Sequence, residues 1–249
     1  MPPETVDAYE AGIKSRFLDN RLQVNASVFY YNYKGQQGQI VDQSATANLI
    51  SLDGSLKGFE AEIEYVASDT LRLNAGIGHL DSKYDKDGCP TTTLAGFLPQ
   101  QGNCLRSAVG NVDIGGNPFP YAAKWSVTAG FEWDVVELPN GKVTLNGDAS
   151  YTGRFYYDSF GAYDYVSPDG TVHSRDLAKG VFHKGEGDYI IANARLSYIA
   201  DDYTVAVWVK NLTDKLYFPF GINLEGNFGS DYRIRSAPRT FGVEATYRF

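Results

Sequence analysis

The stretch Pro238–Phe249, PRTFGVEATYRF, alternates strictly between apolar and polar positions. One set of alternate positions holds Phe241, Val243, Ala245, Tyr247 and Phe249, and the other holds Gly242, Glu244, Thr246 and Arg248. A period of two residues is typical of a β-strand with one apolar and one polar face. Because the pattern runs through the last residue, we expect this end of the chain to be structured rather than a polar tail.

The same alternation recurs upstream and predicts a chain built from β-strands. The predicted strands cover residues 9–17, 22–30, 59–65, 71–77, 125–133, 143–151, 190–198 and 205–209, which with 241–249 makes nine. Short turns are expected after every odd-numbered strand up to the seventh. Long loops are expected at 34–48, 85–120, 159–187 and 218–236. The turns therefore lie at one end of the sheet and the loops at the other.

Strand length and connection rhythm favour one fold class. Many predicted strands reach about nine residues, which is the length that a tilted strand needs to cross a bilayer. Outer-membrane barrels combine such strands with short turns at one end and long loops at the other. The sequence therefore predicts an all-β fold, an antiparallel transmembrane β-barrel segment. A soluble β-sandwich also alternates its faces, but it explains neither the strand lengths nor the rhythm.

Composition supports strands and excludes one class of partner. The chain has 18 Tyr, 14 Phe, 3 Trp and 26 Gly but a single Met, which suits strands and turns. Its formal net charge of -8 argues against nucleic-acid binding, because a phosphate backbone needs a basic surface. Residues 1–10 lack the features of a signal peptide, and no apolar run is long enough for a transmembrane helix.

Aromatic and charged side chains are distributed unevenly along the predicted strands. Aromatic residues gather near strand ends, where an interfacial girdle is expected: Phe29, Tyr30, Tyr31, Tyr33, Tyr84, Tyr121, Tyr151, Phe155, Tyr156, Tyr157, Tyr217, Phe218 and Phe220. The polar positions carry the acids Glu60, Glu62, Glu64, Glu132, Asp148 and Glu244 and the bases Lys14, Arg16, Arg72, Lys124 and Arg195. These charges predict a hydrated wall facing a lumen.

The two cysteines, Cys89 and Cys104, lie in one long predicted loop. A disulfide between them would stabilise the fold by roughly 3 kcal/mol on a chain-entropy argument and would imply an oxidising compartment. The alternative is two unrelated free thiols. The absence of a CxxC pair or a nearby histidine cluster favours the disulfide.

No enzyme motif is present. The histidines do not have HExxH spacing, there is no Gly-x-Ser-x-Gly turn, and no glycine-rich loop joins a strand to a helix. His173 and His183 share a loop with Asp176, Glu186 and Asp188, but solvated loop polarity explains this set better than a metal site. We expect no catalytic residue, no metal and no cofactor.

Four motifs together resemble one family, the TonB-dependent outer-membrane receptors. The resemblance lies in Glu4–Lys14 (ETVDAYEAGIK), Lys57–Glu62 (KGFEAE), Asn211–Tyr217 (NLTDKLY) and Pro238–Gly242 with the terminal Tyr247–Phe249. Each motif is weak by itself, but their order and spacing cover nearly the whole chain. The resemblance implies a receptor of Gram-negative outer membranes that imports a scarce solute, such as a ferric siderophore, with energy supplied through the TonB complex.

The family pattern also implies what lies outside these residues. Complete receptors of this kind have a plug domain and a barrel of about twenty-two strands. Residues 1–249 are therefore expected to be the C-terminal portion of the barrel, without the plug and about thirteen strands. The edge near residues 5–17 would otherwise stay unpaired in lipid. The resemblance further implies that Phe241, Val243, Ala245, Tyr247 and Phe249 face lipid and act as the barrel-insertion signal. The alternative for Phe249 is a simple anchor at the membrane interface.

In the resembling family, ligand capture takes place on extracellular loops. The loop residues best suited to a flat or anionic ligand are Tyr163, Tyr165, Phe182, Phe220, Phe228, Tyr232, Arg233 and Arg235. Packing within the loops or at the girdle is the alternative for each of them. Two other functions stay open, a small free-standing barrel or surface binding protein and an outer-membrane hydrolase, although no Ser/His pair at a strand end supports the second.

Overall fold

The computed structural model describes residues 3–41, 47–86, 104–107, 110–159, 165–166, 172–173, 185–223 and 231–249. Nine long strands dominate it. They are β1 (Thr5–Phe17), β2 (Leu22–Val41), β3 (Ala47–Val66), β4 (Leu71–Tyr84), β7 (Trp125–Leu138), β8 (Gly141–Thr152), β13 (Tyr189–Ile199), β14 (Tyr203–Lys210) and β17 (Thr240–Tyr247). The short strands are β5 (Cys104–Ser107), β6 (Gly110–Asp113), β9 (Phe155–Tyr156), β10 (Tyr165–Val166), β11 (Val172–His173), β12 (Gly185–Glu186), β15 (Phe220–Asn223) and β16 (Asp231–Ile234).

The nine long strands form one antiparallel sheet in the order β1-β2-β3-β4-β7-β8-β13-β14-β17. Each long strand pairs with the next long strand along the chain, so the sheet is a simple meander. This confirms the predicted all-β class and all nine predicted strands. Within the part of the chain that the structure describes, β1 and β17 are the outer strands, and the barrel is not closed.

The register separates two faces. One continuous row across seven strands contains Ile13, Ala26, Ala61, Ile77, Val127, Tyr151 and Ile190. The row beside it contains Lys14, Asn25, Glu62, Gly76, Thr128 and Ser150. We call the first the apolar face and the second the polar face. The carboxylates of Glu60, Glu62 and Glu64 are exposed on the polar face, in agreement with the predicted hydrated wall.

The connections alternate as predicted. Tight turns at 18–21, 67–70, 139–140 and 200–202 define the turn end of the sheet, and all the longer connections leave from the opposite loop end. The turn at 18–21 contains Asp19 and Asn20 with φ of 54° and 67°. Asn and Asp tolerate this left-handed conformation better than other residues with a side chain.

The loop predicted at 34–48 is instead mostly strand. Strands β2 and β3 continue past the rest of the sheet and pair as far as Val41 and Ala47. A register shift between Tyr33 and Gln36 accompanies the extension, and Gly35 within it has φ of 68°. The sequence KGQQGQ has no apolar alternation, so its pattern gives no strand signal, although Gln36 pairs with the buried Leu52.

Aromatic side chains border the apolar face at both ends. Near the loop end, His79 lies between Phe59 and Trp125, with ring centroids 5.7 and 4.4 Å from it. Near the turn end, Tyr198 and Tyr203 contact each other at 5.8 Å. Aromatic belts at these two levels are typical of membrane barrels.

Part of the predicted girdle is wrong. Phe29, Tyr31, Tyr33 and Tyr84 share the register rows of the polar face, so they cannot face lipid. Proximity to a strand end does not reveal which face a residue occupies, whereas its parity along the strand does. In the described residues, no helix is long and apolar enough to cross a membrane.

Candidate functional site

Ion pairs link strands on the polar face. Arg72 Nη1 lies 2.6 Å from Glu132 Oε1. Both terminal nitrogens of Arg195 donate hydrogen bonds to the Glu244 carboxylate, at 2.9 and 3.1 Å. These contacts bring together four of the charged residues predicted for the lumenal wall. Because all four side chains are substantially exposed, each pair stabilises the fold only modestly.

At the loop end, an apolar cluster covers part of this face. The register places Tyr33, Gly54 and Tyr84 in one row across three strands. The ring of Phe119 fills the space above Gly54, where a Cβ would lie 2.8 Å from it. Its centroid is 4.7 Å from that of Tyr84 and 6.2 Å from that of Tyr33. The segment before β7 therefore folds back onto the polar face.

Buried hydrogen bonds fix this segment in place. The Phe119 backbone N–H donates to Ser82 Oγ at 3.1 Å, and Asn117 Nδ2 donates to the Ser159 carbonyl at 2.7 Å. Tyr84 and Ser159 share a hydrogen bond of 3.0 Å between their hydroxyls. Ser159 follows β8, so these bonds tie two different long connections together.

A second aromatic group continues from the first toward the last long connection. Tyr121 lies 6.0 Å from Tyr157 and 6.1 Å from Phe220 between ring centroids. The Tyr121 hydroxyl donates to the Gly221 carbonyl at 3.1 Å, and the Tyr157 hydroxyl donates to the Phe218 carbonyl at 2.7 Å. Burial raises the pKa of both phenols, so both remain neutral donors.

We call the aromatic residues of these two groups the loop collar: Tyr84, Phe119, Tyr121, Phe155, Tyr157, Phe218 and Phe220. The collar joins the connections that follow β4, β8 and β14. The girdle assignment of Tyr121, Phe155, Tyr157 and Phe220 is therefore wrong, because their rings pack on one another across the loops. Gly54, inside β3, was the one sequence signal for this packing, because a glycine within a strand often marks the close approach of another group.

The structure describes the side chains of four of the eight predicted ligand residues. Phe220 and Tyr232 lie on one face of the β15–β16 hairpin and are 36% and 53% exposed. Arg233 lies on the other face, with its guanidinium 4.7 Å from the centre of the Phe218 ring. Arg235 is exposed just beyond β16.

The remaining predicted site residues contribute less. Tyr165 is described only through its backbone pairing with His173. Tyr163, Phe182 and Phe228 lie outside the described residues, as do Cys89, His183 and Asp176. In the part of the chain that the structure covers, no group of acidic, His or Cys side chains could hold a metal ion.

The predicted insertion strand is exposed on the apolar face. Phe241 and Val243 are 81% and 74% exposed, and Tyr247 continues the same face. The Arg248 N–H donates to the Asp202 carbonyl at 2.7 Å, which ties the end of the strand to the last turn. This arrangement is suited to lipid contact, and the role of these residues in insertion stays a prediction.

Comparison with known families decides the assignment. Residues 1–212 match the profile of the family described as TonB dependent receptor-like, beta-barrel. The chain belongs to this family. The resemblance noted in the sequence is thereby confirmed, and the two faces of the TonB-dependent receptor segment are the lipid-facing and lumenal faces of a membrane barrel.

Individual relatives of this TonB-dependent receptor segment agree. "Probable TonB-dependent siderophore receptor PiuA" of Acinetobacter baumannii is 28% identical over 158 residues, which are 64% of this chain and 19% of that protein. The crystal structure of the ferric yersiniabactin uptake receptor FyuA from Yersinia pestis superposes with a TM-score of 0.68 at 17% identity, over 97% of this chain and 29% of that one. The ferric-catecholate import receptor Fiu from E. coli K12 gives 0.63 at 19% identity, over 100% and 28%.

The chain thus spans about a fifth of that curated relative and less than a third of these two solved receptors. The structural likeness establishes the fold.

Proposed function

We propose that this chain forms the C-terminal part of the barrel wall of an outer-membrane receptor that imports a ferric siderophore with energy supplied through TonB. The plug domain and the remaining barrel strands lie outside these 249 residues. The observation that carries the proposal is the open nine-stranded sheet with one lipid-compatible and one hydrated face. Its unpaired outer strands would be costly in a bilayer unless further strands pair with them.

The polar face is suited to contact the proposed plug domain. Ion pairs such as Arg72–Glu132 and the exposed carboxylates on β3 form a hydrated wall that a folded domain inside the barrel can contact. Passage of a solute along this wall would require no covalent change in the solute. The proposed activity is therefore binding and passage of an intact complex rather than catalysis.

The loop end and the relatives both support the proposed solute class. The three similar proteins described above are named for a siderophore, for ferric yersiniabactin and for a ferric catecholate. The exposed rings of Phe220 and Tyr232 can stack on a flat aromatic chelate, and Arg235 can pair with its negative charge. Tyr163, Tyr165, Phe182, Phe228 and Arg233 remain in the proposed contact set.

Uptake of radioactive iron tests this proposal. Bacteria that depend on the full-length protein would be given iron as a catecholate complex, a hydroxamate complex or a citrate complex. We expect uptake of one siderophore complex, its loss in a strain without TonB, and at least a severalfold reduction for the double change Tyr232→Ala and Arg235→Ala. Lys210→Ala, on the barrel wall, is the matched control. Equal uptake of every complex with and without TonB would overturn the proposal.

The size of the native protein separates the receptor from a free-standing barrel. An antibody raised against residues 89–104 would detect the protein in outer-membrane fractions. A species several times heavier than 27.4 kDa agrees with a receptor. A species near 27.4 kDa would require the nine strands to find partners by self-association, and the transport proposal would then be withdrawn.

A further inference from the structure

The apolar pattern of β17 leaves its register undetermined. A shift by one residue would turn Phe241, Val243 and Tyr247 toward the lumen, so the alternation excludes it. A shift by two residues keeps every side chain on its present face. Such a shift would move the strand by about 7 Å along β14, and something other than the alternation must prevent it.

The loop before β17 contains contacts that define where the strand begins. Asn211, at the end of β14, is only 6% exposed. Its side-chain amide donates to the carbonyls of Lys215 and Ala237 at 3.0 and 3.2 Å, and its Oδ1 accepts from the Lys215 N–H at 2.9 Å. Ala237 lies three residues before β17, so one buried side chain joins the end of β14 to the start of β17.

Asp214 adds a second tie. Its carboxylate accepts the backbone N–H of Arg239 at 2.9 Å, immediately before β17. The Arg239 guanidinium also reaches the Leu212 carbonyl at 3.4 Å. Asn211 and Asp214 have φ of 51° and 53°, a left-handed conformation that Asn and Asp adopt more readily than most residues. We call Asn211, Asp214, Lys215, Ala237 and Arg239 the register knot.

The knot is anchored to the barrel wall. The Asn211 N–H donates to Asn193 Oδ1 at 3.0 Å, and Asn193 Nδ2 donates to Asp148 at 2.7 Å. The Leu212 N–H donates to the Ala192 carbonyl at 2.7 Å. Because Asn193 and Asp148 lie on β13 and β8, the position of the knot is fixed relative to strands that do not move with β17.

Two contacts along β17 favour the same register. Gly242 lies opposite Trp208, and a Cβ there would lie 2.6 Å from the indole ring. The Glu244 carboxylate reaches across β14 to Arg195. A two-residue shift would place Thr240 or Glu244 opposite Trp208, so that a side chain would occupy the space beside the indole. The shift that places Thr240 there would also move Glu244 into the row of Ile199, away from Arg195.

We propose that the register knot selects the pairing register of β17, with Asn211 as the principal positioning residue. The NLTDKLY motif then serves assembly of the closing part of the sheet, independently of the transported solute. Without the knot, β17 pairs with β14 in a mixture of registers two residues apart. The Arg248 N–H at its end would then no longer meet the Asp202 carbonyl in every molecule.

Cysteine cross-linking in membranes reports the register directly. In the full-length protein with Cys89→Ser and Cys104→Ser, Ala245→Cys would be combined separately with Val205→Cys, Tyr203→Cys or Val207→Cys. Val205 lies directly opposite Ala245, whereas the other two are displaced by two residues in either direction. After mild oxidation of outer-membrane fractions, mass spectrometry would quantify each cross-linked pair.

Asn211→Gly is the decisive variant, because glycine keeps the left-handed backbone and removes only the side-chain bonds. We expect the ratio of in-register to displaced cross-links to fall by about tenfold or more, as loss of two or three buried hydrogen bonds implies. Asn211→Asp, which keeps an acceptor for Lys215, should show a smaller fall. Lys215→Ala is the control, because it retains the backbone groups that Asn211 binds.

A general loss of stability would lower the yield of assembled protein without changing the ratio, and an unchanged ratio in Asn211→Gly overturns the proposal. If Asn211→Gly does not assemble, the Val205→Cys and Ala245→Cys pair is oxidised before assembly. Recovery of assembled protein by this in-register bond would support the proposal. Failure to recover would show that register is not what the variant lost.

Discussion

Tyr157 occupies a site in the loop collar that only glycine at position 221 allows. A Cβ on residue 221 would lie 2.5 Å from the Tyr157 ring, whereas a Cβ on Gly187 would meet nothing within 4 Å. Gly221→Ala should therefore destabilise the protein by about 1–3 kcal/mol through overpacking, and Gly187→Ala should have little effect. Urea unfolding in lipid vesicles measures both changes. Equal stability of the two variants would contradict the packing described for the collar.

The Tyr157 hydroxyl contributes separately from its ring. The side chain is 8% exposed, and its hydroxyl donates to the Phe218 carbonyl at 2.7 Å. Tyr157→Phe keeps the ring and leaves that carbonyl without this donor, so the free energy of unfolding should fall by about 1 kcal/mol. Tyr232→Phe is the control, because Tyr232 is 53% exposed. A larger fall for Tyr232→Phe would show that the collar bond is not important.

For single aromatic residues, the sequence could predict the face of the sheet but not the long-range contacts. The parity of Tyr33 and Tyr84 was readable from the sequence and would have placed them on the polar face. The partners of Tyr121 and Tyr157 were not readable, because these residues contact backbone carbonyls of a loop about 60 to 100 residues away. Long-range hydrogen bonds between loops leave no periodic signal.

At the level of elements, β17 combines a lipid-facing surface with the proposed insertion signal. Tyr247 and Phe249 stack at 6.5 Å between centroids on the exposed end of the strand. Removal of Phe249 should reduce the amount of assembled full-length protein severalfold, because the assembly machinery would lose the residue that it is proposed to recognise. Phe249→Tyr, which keeps an aromatic ring, should assemble almost normally.

Heat-modifiable migration of outer-membrane protein on gels measures this effect. Normal yield and normal heat resistance of the deletion would argue against an insertion role for Phe249. The result would be independent of the register knot, since the knot acts at the other end of β17.

The strands could be predicted wherever contact with lipid requires an apolar face. All nine long strands follow from alternation, because every one has an apolar face. The extension of β2 and β3 beyond Tyr33 was not predictable, since Gln36, Gln37 and Gln39 are polar and interrupt the apolar alternation, although Gln36 pairs with Leu52. The register of β17 was equally hidden, because its alternation repeats every two residues and accepts several pairings.

At the scale of the whole molecule, one face of the sheet must be apolar and the other must be polar. Ala129 and Thr128 are neighbours in β7, but Ala129 pairs with Ala75 and Ala149 on the apolar face, and Thr128 lies in the row that contains Glu62. Ala129→Arg should destabilise the protein in vesicles by about 2–4 kcal/mol, as expected for a cation near the bilayer midplane. Thr128→Arg should be nearly neutral.

Urea titration of both variants in vesicles compares the two faces directly. A greater loss for Thr128→Arg would reverse the assignment of lipid-facing and lumenal sides. Equal small losses would indicate that the sheet does not cross the bilayer at this level.

The positions of the tryptophans allow the depth of the sheet in a bilayer to be measured by fluorescence. Trp125 begins β7 and Trp133 lies eight residues further along it, both on the apolar face and roughly 26 Å apart along the strand. Trp208 packs over Gly242 on the other side of the sheet. Lipids brominated along their acyl chains should therefore quench the fluorescence of Trp125 and Trp133 and spare Trp208. The depth at which the receptor sits in a bilayer could thus be read from its own emission, without an attached dye.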